Sequence, residues 1–198
     1  MLRIGRAVLV ATLALAPAAR AQGPGSTFGA IVGGASLSDI GGDFGGTTRT
    51  RWGGTAGLLL GYNTWRTAVT LEGDWVQKGG NTQAGDTRLD YIEFPLTIGA
   101  VAVAGGGAMR ARIYSGISFG FKVSCNSDID GVCDDASGTE WGWPFGLQLA
   151  KVNENNSFVG VDVKYTVALS DAFDFINAYN RPWQFRLMFG KLLGTTSP

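Results

Sequence analysis

Apolar and polar residues alternate with a period of two along most of the chain beyond its first 25 residues, and helical periodicity is almost absent there. Such alternation is typical of β-strands whose two faces meet different surroundings. In the segment "SFVGVDVKYTVAL", the valines and Tyr165 share one face, whereas Asp162, Lys164 and Thr166 share the other. Equivalent patterns predict eight strands, at residues 28–38, 51–62, 65–75, 90–100, 109–123, 140–149, 157–169 and 182–192.

The predicted strands are long, at about 10 to 14 residues each. Strands of soluble proteins most often contain about five or six residues, whereas strands that cross a membrane as part of a barrel need about 9 to 11. We therefore predict an all-β fold: an eight-stranded antiparallel transmembrane β-barrel of the up-and-down type.

The connections between these strands support the same fold, because short and long connections alternate. Outer-membrane barrels have short turns on the periplasmic side and longer loops outside. We therefore expect every long connection to face the exterior. Trp65 and Trp75, at opposite ends of one strand, are placed as girdle residues are in such barrels. The short connections are 63–64, 104–108 and 153–156, and the long ones are 39–50, 78–87, 124–138 and 171–181.

The first 21 residues have the features of a secretory signal peptide. Arg3 and Arg6 precede the apolar run 7–16, and Ala19 and Ala21 form a small-x-small cleavage site. The run is too short to cross a bilayer, which takes roughly 20 residues. We therefore predict a cleaved signal at 1–21, a barrel domain at 22–198 and export to the outer membrane. Removal of the signal leaves a slightly acidic chain, so no nucleic-acid partner is expected.

The chain contains two cysteines and no histidine. In an exported protein, Cys125 and Cys133 are expected to form a disulfide across a short loop. A metal pair is less favoured, because further sulfur or imidazole ligands are lacking. The absence of histidine also removes Ser-His-Asp and Cys-His catalysis. No catalytic residue, metal or cofactor is predicted, and the protein is not expected to be an enzyme.

If the apolar face meets lipid, the polar face lines the interior of the barrel. An eight-stranded barrel is just wide enough for its side chains to fill, and buried charges must be paired. A salt-bridged plug is therefore favoured over a narrow solute path or a carboxylate-pair active site. The predicted interior network comprises Glu72, Asp74, Glu93, Arg110, Arg112, Lys122, Asp162, Lys164 and Arg186.

A family resemblance covers nearly the whole chain after the signal. The series "LEGDWVQKGG", "YIEFPLTIGA", "YSGISFGFKV" and "GVDVKYTVALSD" resembles the PorT-like outer-membrane β-barrel family, close to the small OmpW and OmpA-like barrels. The resemblance implies an outer-membrane location, contact with lipid and lipopolysaccharide, and insertion by the barrel-assembly machinery. It leaves the partner of the outer loops unknown. The matching residues are Glu72, Trp75, Lys78, Gly79, Tyr91, Glu93, Pro95, Leu96, Tyr114, Gly116, Gly120, Tyr165 and Leu169.

Three functions fit this sequence. The favoured one is a non-enzymatic outer-membrane barrel with a plugged interior and long outer loops, in a structural or surface-interaction role. The first alternative is a small channel or transporter for ions or small solutes. The second is a soluble lipocalin-like binding barrel, in which the apolar face turns inward.

Overall fold

The computed structural model describes residues 25–42, 49–64, 66–81, 85–172 and 178–193. The predicted signal peptide and Trp65 lie outside these residues. Within the described residues, no helix has the length and apolar character needed to cross a membrane. The strands are β1 (Ser26–Ser38), β2 (Ile40–Gly42), β3 (Arg51–Asn63), β4 (Thr67–Asn81), β5 (Asp86–Ala104), β6 (Met109–Ser127), β7 (Thr139–Val152), β8 (Ser157–Ala168), β9 (Ala178–Asn180) and β10 (Trp183–Leu193), with a 3-10 turn at Gly105–Gly107 and one helical turn, α1 (Val132–Asp135).

Eight of these strands form one closed antiparallel barrel in the order β1-β10-β8-β7-β6-β5-β4-β3. The barrel closes because β1 pairs along its length with both β3 and β10. Each remaining strand pairs with the barrel strands next to it in sequence, as in an up-and-down barrel. The predicted all-β, eight-stranded barrel is confirmed.

The alternation of side chains places the apolar face outward. Leu58 and Leu60 are 64% and 63% exposed, whereas Leu59 between them is 1% exposed. The buried set is correspondingly rich in polar and charged residues, including Glu72 and Lys164. A lipocalin-like binder requires the opposite arrangement, with its apolar face inside. The exterior of this barrel is therefore suited to lipid.

The two ends of the barrel differ, and we name them by their connections. The turn end carries the connections 64–66, 105–108 and 153–156, and the loop end carries 39–50, 82–85, 128–138 and 169–182. The exposed tryptophans Trp52, Trp141, Trp143 and Trp183 lie toward the loop end. Two of their rings meet neighbouring aromatic rings, at 4.6 Å between the centroids of Trp141 and Phe119 and 4.7 Å for Trp183 and Tyr165.

The expected long loop at 78–87 is wrong. Strand β4 continues to Asn81 and β5 begins at Asp86, so positions 82–85 connect a hairpin and the alternation of short and long connections is not strict.

The two consecutive glycines at positions 79 and 80 are typical of a loop, but Gly79 pairs with Arg88 in the β-ladder between β4 and β5. Its φ is +124°, and a Cβ there would lie 2.0 Å from the carbonyl oxygen of Thr87. Glycine is therefore required here by close strand pairing.

The loop end is covered by chain from its own connections. Strands β2 and β9 pair as a separate two-stranded sheet, and Arg181 donates two hydrogen bonds to the carboxylate of Asp39, at 3.0 and 2.8 Å. Beneath this sheet lies an apolar cluster to which three different connections contribute. This cluster, the loop-end cap, consists of Ile40, Leu89, Tyr91, Ala136 and Ala172.

The close packing around an interior glycine leads to a testable prediction. Gly57 faces the interior, and a Cβ there would lie 2.1 Å from Asp74 Oδ1 and 2.6 Å from the carbonyl oxygen of Gly73. We expect Gly57→Ala to destabilise the refolded barrel by about 1–3 kcal/mol, the usual cost of overpacking. Equilibrium unfolding in lipid vesicles, followed by the heat-dependent shift in gel mobility, measures this loss.

The control for this substitution is Gly73→Ala on the neighbouring strand. A Cβ at Gly73 would meet a single atom, of Phe94, at 3.9 Å. This variant should keep the stability of the unmodified barrel. Equal stability of the two variants would contradict the tight interior packing.

Candidate functional site

A layer of buried charges crosses the middle of the barrel. Arg186 on β10 bonds to Asp74 Oδ2 at 2.8 Å through Nη1, to Asp162 Oδ2 at 2.7 Å through Nε, and lies 2.9 Å from Glu72 Oε2 through Nη2. Lys164 Nζ on β8 lies 2.6 Å from Asp74 Oδ2 and 3.3 Å from Glu72 Oε2. These five side chains, which we call the ionic layer, have no exposed surface.

The ionic layer holds three carboxylates and two cations. The hydroxyl of Tyr114 on β6 donates a further hydrogen bond to one of these carboxylates, at Asp162 Oδ1, over 3.0 Å. Charges removed from water are costly unless they are paired and hydrogen-bonded, and the layer meets this condition by sharing each cation among several oxygens. Because the partners lie on β4, β8 and β10, the layer joins opposite walls of the barrel.

A second buried charge cluster lies nearer the loop end. Lys78 Nζ forms ion pairs with Glu93 and with Glu140 Oε1, the latter at 2.8 Å. The amide of Asn180 on β9 donates to Glu140 Oε2 at 3.0 Å. This cluster therefore ties the small sheet of the loop end to the barrel wall.

The predicted interior network omits Lys78 and Glu140. Lys78 falls in the expected loop at 78–87, although it continues the alternation of Glu72, Asp74 and Val76 on the inner face of β4. Glu140 lies on the inward face of β7, the same face as Gln148. The alternation of β4 finds Lys78 once it is followed past the expected strand end at residue 75, and the alternation of β7 finds Glu140 at the first residue of the expected strand 140–149. Asn180 lies on a three-residue strand and carries no such signal.

Arg112 bonds to neutral groups in the structure. Its Nη1 donates to Gln148 Oε1 at 3.1 Å, and its Nη2 donates to Thr97 Oγ1 at 2.7 Å and Thr70 Oγ1 at 3.2 Å. The guanidinium also lies 4.7 Å from the ring centroid of Tyr114. Arg112 and Gln148, which are partners across β6 and β7, thus border the ionic layer on its turn-end side.

Two further members of the predicted network, besides Arg112, lie outside the charge clusters. Lys122 does not join the interior network, contrary to the prediction. Its ammonium donates hydrogen bonds to the backbone carbonyls of Cys133, at 3.3 Å, and Ala136. It therefore binds the C-terminal end of α1, where carbonyls lack helical partners, because Lys122 pairs with Tyr91 of the loop-end cap and so lies above the ionic layer. Arg110 is half-buried at the turn end, next to an apolar cavity.

The interior at the turn end is apolar, which the alternation pattern alone does not predict. Its buried core, the turn-end cluster, packs below the Arg112–Gln148 pair. Phe28 and Phe158 meet there edge to face, with ring centroids 6.3 Å apart. The core residues of the cluster are Ala30, Val32, Leu59, Phe158, Met188 and Leu192.

The predicted disulfide between Cys125 and Cys133 is present. It joins the end of β6 to α1. Cys125 and Val132 pack against the loop-end cap. The disulfide therefore holds the connection 128–138 against the barrel mouth.

A closed eight-stranded barrel with an apolar exterior and a charged, paired interior defines the class of small outer-membrane barrels. The family model of the outer membrane protein beta-barrel domain matches residues 7–188. The chain belongs to this family, which is one of the bacterial outer membrane. A search of curated protein sequences found no match.

Solved structures share the architecture at low sequence identity. OprG from Pseudomonas aeruginosa is 17% identical, with 88% of this chain and 99% of OprG covered at a TM-score of 0.53. The N-terminal barrel domain of Pseudomonas aeruginosa OprF is 13% identical, with 87% and 100% covered at 0.48. Ail of Yersinia pestis is 12% identical, with 83% and 98% covered at 0.45. The likeness to OprG shows the fold.

The unequal charge of the ionic layer generates a second prediction. Arg186→Met leaves three buried carboxylates facing Lys164 alone, so we expect a loss of about 3–5 kcal/mol in the free energy of unfolding. Glu72→Gln leaves two carboxylates and two cations, and should cost less than half as much. Urea unfolding in lipid vesicles, monitored by tryptophan fluorescence, measures both losses.

Lys191→Met is the control on the same strand, because Lys191 is exposed. Substitutions of this kind usually change stability by less than about 0.5 kcal/mol. A loss in Arg186→Met no larger than that in Lys191→Met would contradict a stabilising role of the ionic layer.

Proposed function

We propose that this protein is a non-conducting outer-membrane barrel of the PorT-like group, with a structural or surface-interaction role carried by its loop end. The observation that supports this proposal most strongly is the ionic layer, in which Glu72, Asp74, Asp162, Lys164 and Arg186 fill the barrel without exposed surface. A water-filled path would leave such side chains accessible.

Closure of the barrel is repeated at three levels. The turn-end cluster occupies one end, the ionic layer the middle, and the loop-end cap the other end. The cluster of Lys78, Glu93 and Glu140 fills the space between the last two. A solute path would have to displace all of these, including ion pairs whose separation is costly in a buried site.

The proposed arrangement in the membrane follows from the two ends. Residues 1–21 act as a signal peptide and are removed, which leaves 22–198 as the barrel domain. The barrel-assembly machinery inserts it with the turn end toward the periplasm. The outward apolar face contacts lipid, and the exposed tryptophans of the loop end lie at the interface with lipopolysaccharide. The connections 39–50, 128–138 and 169–182 face outward and supply the surface for a partner.

Conductance in planar bilayers tests this function. The refolded barrel is expected to give no stable current steps above the lipid baseline, because its charged side chains close the cross-section. Protein for this measurement is first shown to be folded by its heat-dependent gel mobility, and a general porin in the same bilayers shows that the assay detects channels. Reproducible steps from folded protein would overturn the plugged barrel in favour of a channel.

A further inference from the structure

A small cavity lies inside the turn end of the barrel, below the ionic layer. Its volume is about 60 Å³, and its wall is almost entirely apolar. Two water molecules at their liquid volume of roughly 30 Å³ each would occupy this space. The apolar wall is formed by Phe28, Ala30, Leu59, Phe158, Met188 and Leu192.

Two residues that line this cavity have unused hydrogen-bond donors. Arg112 and Gln148 both line it, and they are 5% and 6% exposed. Arg112 Nε and Gln148 Nε2 find no acceptor among the described residues, although the other polar atoms of both groups are bonded. A buried donor without an acceptor is costly, because it has lost its hydrogen bonds to water and gained none in return. The pair therefore has capacity for an acceptor that the described residues do not supply.

The charge of the lining indicates what kind of acceptor fits. Arg112 lines the cavity and bonds to neutral groups, and among the described lining residues of the cavity none is acidic. A carboxylate accepts several hydrogen bonds at once and bonds strongly to a guanidinium. The apolar wall suits an aliphatic chain attached to it.

We propose that this cavity binds the head of a linear monocarboxylate with an aliphatic chain, a fatty acid in chemical class. The carboxylate accepts hydrogen bonds from Arg112 Nε and Gln148 Nε2. The first carbons fill the cavity, and the rest of the chain passes along Phe28 and Phe158 to the turn-end mouth. This binding requires no path through the ionic layer, so it holds whether or not the barrel conducts.

Met188 provides a reporter inside the cavity. It is one of three methionines, it lines the cavity, and it is 3% exposed. Met109 is 47% exposed on the outer face of the same end. In the full chain labelled with ¹³C at methionine methyl groups and held in lipid nanodiscs, added octanoate should shift the Met188 signal in a saturable way and leave Met109 unchanged. Leucine substitutions at each position assign the signals.

Two comparisons separate binding from partition into lipid. Octanol and octyltrimethylammonium carry the same chain with a neutral and a positive head. We expect octanoate to bind the cavity at Met188 at least about tenfold more tightly than either, since hydrogen bonds to a charged acceptor are stronger. Equal binding of octanol, a shift confined to Met109, or no shift with octanoate up to its solubility limit would each overturn the proposal.

Two variants test the site itself. Gln148→Glu keeps the shape of the side chain and replaces the Nε2 donor with a carboxylate oxygen, so octanoate affinity should fall by at least about tenfold through like-charge repulsion. Ala30→Leu fills the cavity and should abolish the Met188 shift, while Ala56→Leu, exposed on the outer face of β3, should retain it. Methyl spectra and heat-dependent gel mobility show that each variant is folded. Undiminished binding in folded Gln148→Glu or Ala30→Leu would refute the assignment.

Discussion

The pairing of buried charges across the barrel is the interaction on which the rest of the structure depends. Closing eight strands brings the inward side chains into contact, away from both water and lipid. Arg186 satisfies this constraint by bonding to carboxylates on its neighbour β8 and on β4. The orientation of the outer face follows from the same constraint, because the alternation that turns charges inward also turns leucines and valines toward lipid.

The interior is nevertheless divided into layers of different chemistry. The ionic layer occupies its middle and the Lys78 cluster lies nearer the loop end, whereas apolar side chains pack inside both ends. At the loop end, chain from three connections supplies the closure, and Asn180 links it to Glu140. At the turn end, the Arg112–Gln148 pair meets the apolar cluster directly. The unused donors of this pair occur where the polar and apolar layers meet.

Local patterns predict most of the fold and part of the site. A period of two assigns each strand and each face, and it therefore suffices to place Glu72, Asp74, Asp162, Lys164 and Arg186 inside the barrel. The same rule cannot assign Gly79, whose role depends on the approach of Thr87 from the next strand. Lys122 lies outside the network because it pairs with Tyr91 of the loop-end cap, where the carbonyls of Cys133 and Ala136 are its acceptors. Pairing, register and closure are properties of several strands together, which a single segment does not encode.

The coupling between Asp74 and Arg186 tests the central claim most directly. These residues lie on β4 and β10, which are separated in the barrel by β1 and β3, and their side chains meet at 2.8 Å. A double-mutant cycle with Asp74→Asn and Arg186→Gln, measured by unfolding in lipid vesicles, should give a favourable coupling energy of about 1–3 kcal/mol. A coupling energy near zero would contradict an ionic layer that holds opposite walls of the barrel together.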